Sequence, residues 1–236
     1  MQPRRLVSRI VLSLAAAGAA TALVVGCSSG SDAPAESLPD APGLLQQSSQ
    51  TTKGLQSAHL EILVDGTIEG LPVKQLSGDL TNVPATAVQG SAKITMAGSD
   101  VDVDLVVIDS TLFAALTPDS WLDMGPAADI YDPSTILNPE AGVANILANF
   151  SDAKSEGTEQ IDGIDTVRVT GEVSADAVNQ LIPSLKATSP VPGTAWIENG
   201  GDHNLVRAQI EPTGDSSIEL TLSKWNEPVT VTKPQV

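Results

Sequence analysis

The chain has 236 residues, with 12 Lys and Arg against 29 Asp and Glu, and a formal net charge of −17. That balance repels phosphate backbones and anionic headgroups, which excludes nucleic acid and passive adhesion to an anionic bilayer. A single cysteine excludes an internal disulfide framework. Aromatics at 3% mean a core built mostly from Ala, Val, Leu and Ile, compatible with an unfilled apolar space and equally with an Ala-rich genome bias.

The N-terminus is a leader. Arg4, Arg5 and Arg9 precede an uncharged run from Ile10 to Val25, rich in Ala, Leu and Val. A basic start, a short apolar stretch and small residues at its end make a secretory signal. The run falls short of the roughly 20 apolar residues of a comfortable transmembrane helix. It ends Val24-Val25-Gly26-Cys27, the order aliphatic, aliphatic, small, cysteine of a lipobox. The thiol of Cys27 takes a lipid as a thioether, a peptidase cuts before it, and the new amino group is acylated. Several buried acyl chains at about 0.8 kcal/mol per CH₂ make a lasting anchor. Residues 1–26 are therefore read as a lipoprotein signal. Loss of its three arginines takes the net charge of the mature chain to −20. Residues 27–39, mostly Ser, Gly, Ala and Pro, read as the acylated cysteine and a flexible tether.

Residues 40–236 read as a single domain. Asp40 is an N-cap with Pro42 in the first turn, and a helix runs to about Gln56. From His59 the apolar period becomes two. Leu60, Ile62 and Val64 mark a strand, and a turn at Glu69–Pro72 leads to Val73–Thr81. Thr86–Ala97 places Ala92, Ile94 and Met96 on one face, and Val101, Val103, Leu105 and Val107 alternate with Asp102 and Asp104. Thr111–Leu116 and Trp121–Met124 complete a meander of short strands joined by tight turns. Helices follow. Asp132-Pro133 and Asn138-Pro139 each pair an N-cap with Pro at the first helical position, and Val143, Ile146, Leu147 and Phe150 have helical spacing. Strands return at Gly157–Ile161 and Thr166–Val173 around the hairpin signal Asp162-Gly163. Ser174 caps a helix over Ala175–Ile182, Pro190–Gly193 is a loop, and strands span Thr194–Glu198, Leu205–Glu211 and Ser217–Trp225, with a last one at Val229–Thr232. The sum is an α+β layer domain: an antiparallel sheet of about ten strands that tends to curl, with amphipathic helices on one face.

Catalytic and metal motifs are missing. His59 and His203 have no metal-ligand spacing, and Asp100, Asp102 and Asp104 lack the Gly turn and bidentate Glu of a calcium loop. Nucleophile-elbow, P-loop and dinucleotide glycine patterns are absent. No cofactor is implied. A carboxylate pair for glycoside hydrolysis stays open, because spatial pairing is invisible in a sequence. The apolar strand faces must point at something, and pattern alone does not separate a filled core from a lined cavity.

Several segments stand out together: the lipobox with Val25-Gly26-Cys27-Ser28-Ser29-Gly30-Ser31, Leu55–His59, Leu76-Ser77-Gly78-Asp79-Leu80, Gly98-Ser99-Asp100 and Leu116-Thr117-Pro118. Gly125–Pro133, Asn145–Phe150, Val191-Pro192, Gly201-Asp202-His203 and Leu222-Ser223-Lys224-Trp225 complete the set. In these segments the chain resembles the mycobacterial lipoprotein family of LppX, LprA, LprF and LprG. It implies a curled antiparallel half-barrel similar to LolA, LolB and LppX, with helices on its concave side enclosing a large apolar cavity. It implies a periplasmic carrier of triacylated glycolipids (lipoarabinomannan, lipomannan, phosphatidylinositol mannosides) and triacylglycerol. The carrier is expected to be a monomer, held by Cys27 on the periplasmic side of the inner membrane, with cell wall or medium as further locations. It would move lipid outward beside a major facilitator efflux protein. The cavity-lining residues expected from the strand faces and the Asn145–Phe150 helix are Ala92, Ile94, Met96, Val103, Leu105, Ile146 and Leu147. The alternatives are an envelope lipid or glycan hydrolase and a passive scaffold.

Overall fold

The computed structural model describes residues 38–129 and 132–236. The signal at 1–26, Cys27 and nearly all of the tether at 27–39 lie outside the described residues. Helix α1 (Ala41–Lys53) starts as its sequence dictates: the Asp40 carboxylate accepts from the Gly43 N–H at 2.9 Å, and Pro stands in the first turn. Its Leu44 and Leu45 are buried.

Eleven strands follow: β1 (Ser57–Asp65), β2 (Val73–Thr81), β3 (Ala87–Met96), β4 (Ser99–Ile108), β5 (Thr111–Ala115), β6 (Trp121–Pro126), β7 (Phe150–Ile161), β8 (Ile164–Val173), β9 (Val191–Glu198), β10 (Leu205–Thr213) and β11 (Ser216–Ser223). They form one antiparallel sheet in the order β6-β5-β4-β3-β2-β1-β11-β10-β9-β8-β7. Every neighbouring pair is consecutive in the chain except β1 and β11. Two meanders are thus stitched together by one long-range ladder, in which Ile62 faces Leu220 and Val64 faces Ile218. The tight turns follow local chemistry. Ala97-Gly98 and Asp109-Ser110 have positive φ at both central residues, as two-residue hairpin turns require.

The sheet is an open, curled half-barrel whose edges are β6 and β7. The chain between those edges carries a 3₁₀ turn at Pro133–Leu137 and helix α2 (Val143–Ala148). Helix α3 (Ala175–Leu181), capped by Ser174, links β8 to β9. Buried Leu44, Leu45, Ile136, Val143 and Leu147 join Leu60, Leu80 and Leu222 of the sheet in one core. The concave face is therefore the one the helices cover.

Five sequence expectations change. Val229–Thr232 is not a strand: β11 has β1 and β10 on its two sides, so the chain beyond it cannot extend the meander beside β11, and it pairs with neither sheet edge. Instead the Lys233 ammonium lies 5.2 Å from the centroid of the Phe113 ring. Asn138-Pro139 does not begin a helix. The Asn138 side chain accepts from the N–H groups of Glu140 and Ala141, a turn, and α2 starts later with Gly142 as its N-cap. Phe150 keeps helical spacing but opens β7, facing Val173. That strand is longer than Gly157–Ile161 because two register shifts break its alternation. Pro190–Gly193 is mostly strand: β9 starts at Val191. Pro192 is tolerated because β10 pairs with β9 only from Gly193 onward.

Candidate functional site

Cross-strand partners share a face of the sheet, so the registers define what lines the concave side. One row runs across eight strands: Val169, Ala195, Ala208, Leu220, Ile62, Leu76, Ala92 and Val103. Every member is apolar, and three are alanines.

A void lies between this surface and the helical layer. The sheet contributes Ile62 and Val64 from β1, Val73 and Leu76 from β2, and Ile218 and Leu220 from β11. Facing them are Ile136, Val143 of α2, Leu181 and Ile182 at the end of α3, and Leu71 of the β1–β2 loop. The lining is wholly aliphatic and carries no ionisable group. Its volume is about 60 Å³. That is room for a few waters at about 10–15 Å³ each, and far less than an acyl chain needs. In place of the large cavity that the resemblance implies, the seam holds a small one.

The expected lining residues fall as follows. Ala92, Ile94, Val103 and Leu105 stand on the concave face, Ala92 opposite Val103 and Leu105 opposite Gly90. None of them borders the void, but Ala92 directly faces Leu76, which does. Met96 is 49% exposed at the end of β3. Ile146 and Leu147 are buried on α2, packed beside the void rather than against it. None of the eleven residues that border the void is among those expected: they come from β1, β2 and β11, the β1–β2 loop, Ile136 of the 3₁₀ turn, Val143 of α2 and the end of α3. A period-2 signal marks Ile218 and Leu220, but only the β1–β11 ladder sets them beside Ile62.

The convex face carries a second hollow of about 600 Å³, bordered by Glu61, Leu63, Gln75, Ser77 and Lys93 among others. Beside it, His59 Nδ1 is 2.7 Å from Asp79 Oδ1, and Ser77 Oγ is 3.5 Å from His59 Nε2. The order resembles a hydrolytic triad, but Ser77 lies mid-strand with β1 and β3 paired on its two sides. Its neighbouring amides are committed to ladders and form no oxyanion hole of the kind acyl transfer needs. No group of His, Cys, Asp and Glu fit to hold a metal ion occurs among the described residues, nor does a helix long and apolar enough to cross a membrane.

The family model described as LppX_LprAFG lipoprotein matches residues 40–231. Lipoarabinomannan carrier protein LprG of Mycobacterium tuberculosis (strain H37Rv) is 53% identical over 234 residues, covering 99% of this chain and 98% of that protein. LprG of Mycobacterium leprae is 50% identical over 229 residues, covering 97% and 96%. The crystal structure of LprF from Mycobacterium bovis matches with a TM-score of 0.76 at 31% identity, over 84% of this chain and 98% of that one. That of LppX from Mycobacterium tuberculosis matches at 0.64 and 34%, over 82% and 100%. Sequence and half-barrel agree from end to end of the sheet, and the chain belongs to the LppX_LprAFG lipoprotein family.

Proposed function

We propose that this protein is a lipid carrier, not an enzyme, and that the aliphatic seam between β1, β2, β11 and the helical layer is where acyl chains go. The single observation that carries this is the wholly aliphatic void at that seam, with no polar group to pair or to perform chemistry. The LprG relatives named lipoarabinomannan carriers support it. The physical need is plain: exposing an acyl chain of about 16 carbons to water costs on the order of 12 kcal/mol at about 0.8 kcal/mol per CH₂. The void of about 60 Å³ is too small for an acyl chain, so loading parts α2 and α3 from the sheet.

The cargo we propose is triacylated glycolipid (lipoarabinomannan, lipomannan and phosphatidylinositol mannosides) together with triacylglycerol. Cys27 would anchor the carrier on the periplasmic side of the inner membrane, and a major facilitator efflux protein would work beside it. Ala92, Ile94, Met96, Val103, Leu105, Ile146 and Leu147 become lining as the seam widens. The test is mass spectrometry of organic extracts of the Cys27→Ser protein, purified from its own envelope. Stoichiometric acylated lipid is expected; an extract free of lipid, or measurable ester or glycoside hydrolysis by the protein, contradicts the reading.

A further inference from the structure

The antiparallel registers bring the β1–β2 loop, the β3–β4 hairpin and the β5–β6 turn to the same end of the sheet. Of the eight large apolar side chains that stand exposed among the described residues, four belong to the β3–β6 corner: Met96, Leu116, Leu122 and Met124. Such residues scattered singly need no account, but a cluster at one corner does. The corner also adjoins the void. Val73, on the wall of the void, pairs with Ile94, Ile94 pairs with Val101, and Met96 stands two residues further on, 49% exposed. Leu122, 58% exposed, continues the concave row of Leu105 and Ala114 out to the edge of the sheet. We infer that this apolar lip is a membrane-docking surface, seated on the bilayer to which Cys27 would tether the domain, so that a lipid passes from bilayer to seam without crossing water. The inference rests on the proposed carrier function.

Charge selects a bilayer over other occupants. On β3 and β4 the pleat sorts ionic groups from hydrocarbon. Lys93, Asp100, Asp102 and Asp104 lie on the convex face, where Lys93 Nζ is 3.0 Å from Asp102 and Thr95 donates to Asp100 at 2.8 Å. Ala92, Ile94, Met96, Val101 and Val103 take the concave positions. On β6, Asp123 shares the convex side with Phe113, opposite in facing to Leu122. Asp119, in the β5–β6 turn, borders the lip without entering these strands. The corner thus offers hydrocarbon on a chain whose net charge of −17 sets two copies repelling each other. Trp121, half-buried at the start of β6, adds an amphipathic ring of the kind enriched at membrane interfaces. Reach imposes no obstacle. Asp40 follows Cys27 by 13 residues, a span of up to about 45 Å at about 3.3–3.6 Å per residue. A domain of about 200 residues has a radius of gyration of about 16 Å. The tether can therefore present any face of the domain to the bilayer, and surface chemistry chooses among them. Tethering also makes docking intramolecular, so a small apolar contact suffices.

The test uses the acylated protein in phosphatidylcholine vesicles, with a polarity-sensitive NBD probe on a new thiol at Leu122→Cys or, as a convex control, at Asp104→Cys. Both positions are exposed, so the fold is retained, as circular dichroism would check. The probe at 122 should shift to the blue and be quenched at least threefold by brominated phosphatidylcholine, and the probe at 104 should do neither. A second variant, Leu116→Ser with Leu122→Ser, should take up triacylglycerol from vesicles at least tenfold more slowly, with uptake from detergent micelles unchanged. Probes that respond alike at 104 and 122, or unchanged uptake from vesicles by the double variant, overturn the lip and leave the carrier intact. A dimer of the Cys27→Ser protein in analytical ultracentrifugation that the double variant abolishes gives the corner to a second copy, and overturns the proposal as well. If the parent protein takes up lipid from neither vesicles nor micelles, the carrier reading fails. The probes then judge docking by themselves: quenching confined to 122 sustains it, and its absence removes it.

Discussion

At the scale of single residues, Ala92 is the sharpest handle. Its small side chain faces Leu76 across β2 and Val103 across β4, in the apolar row that leads to the void. Ala92→Trp places an indole against Leu76 and fills the space into which the seam would open. Lipid recovered per protein should fall at least tenfold, measured by extraction and mass spectrometry. Overpacking costs about 1–3 kcal/mol, so a folded but somewhat less stable protein is expected. Full lipid occupancy in that variant would remove Ala92 from the lining. A second residue-scale test concerns α1. Ser48 Oγ is buried without a hydrogen-bond partner among the described residues. Ser48→Ala therefore removes an unsatisfied group and should leave stability unchanged or raise it by up to about 1 kcal/mol, read by urea unfolding. The strand period put Ala92, Ile94, Val103 and Leu105 on one face from sequence. It could not rank them by depth, because depth depends on which strands lie beneath the helices.

At the scale of elements, the curl has a local cause. Gly78 and Gly90 face each other on the concave side, and a Cβ on Gly90 would lie 2.2 Å from the Ser77 carbonyl oxygen and 2.6 Å from Gly78 Cα. The two strands approach so closely there that only glycine fits, as at a bend in a curved sheet. Gly90→Ala should cost at least about 1–3 kcal/mol, at roughly 2–4 °C of melting temperature per kcal/mol for a domain of this size. An unchanged melting temperature would show that the strands separate without penalty. The cap of α1 is a milder case: Asp40→Ala should cost about 1 kcal/mol by loss of its bond to Gly43. Elements with strong local chemistry were legible in the chain, including α1 with its cap, the Asp162-Gly163 hairpin and β2 with its full bounds. β7 was not. Its alternation is broken by two bulges, and its exposed Asp152, Glu156 and Glu159 guard an edge rather than mark a face. The Asn138-Pro139 signal misled because the same Asx chemistry that caps helices also builds turns.

At the scale of the molecule, one ladder builds the seam. Pairing of β1 with β11 joins residues far apart in the chain, and no local pattern announces it. That ladder sets Ile62 and Val64 beside Leu220 and Ile218, and α2 and α3 cover the resulting seam. The sheet is locked by ladders on both sides of nine strands, whereas around the void the helical layer presents only aliphatic side chains to it. Opening should accordingly move the helices and spare the sheet. The central claim is tested most directly by the crystal structure of the Cys27→Ser protein purified with its cargo. Acyl density should run between Leu76 and Ile218 on one side and Val143 and Leu181 on the other, with α2 and α3 displaced outward. A lipid bound elsewhere, over a seam still no larger than about 60 Å³, would contradict the account.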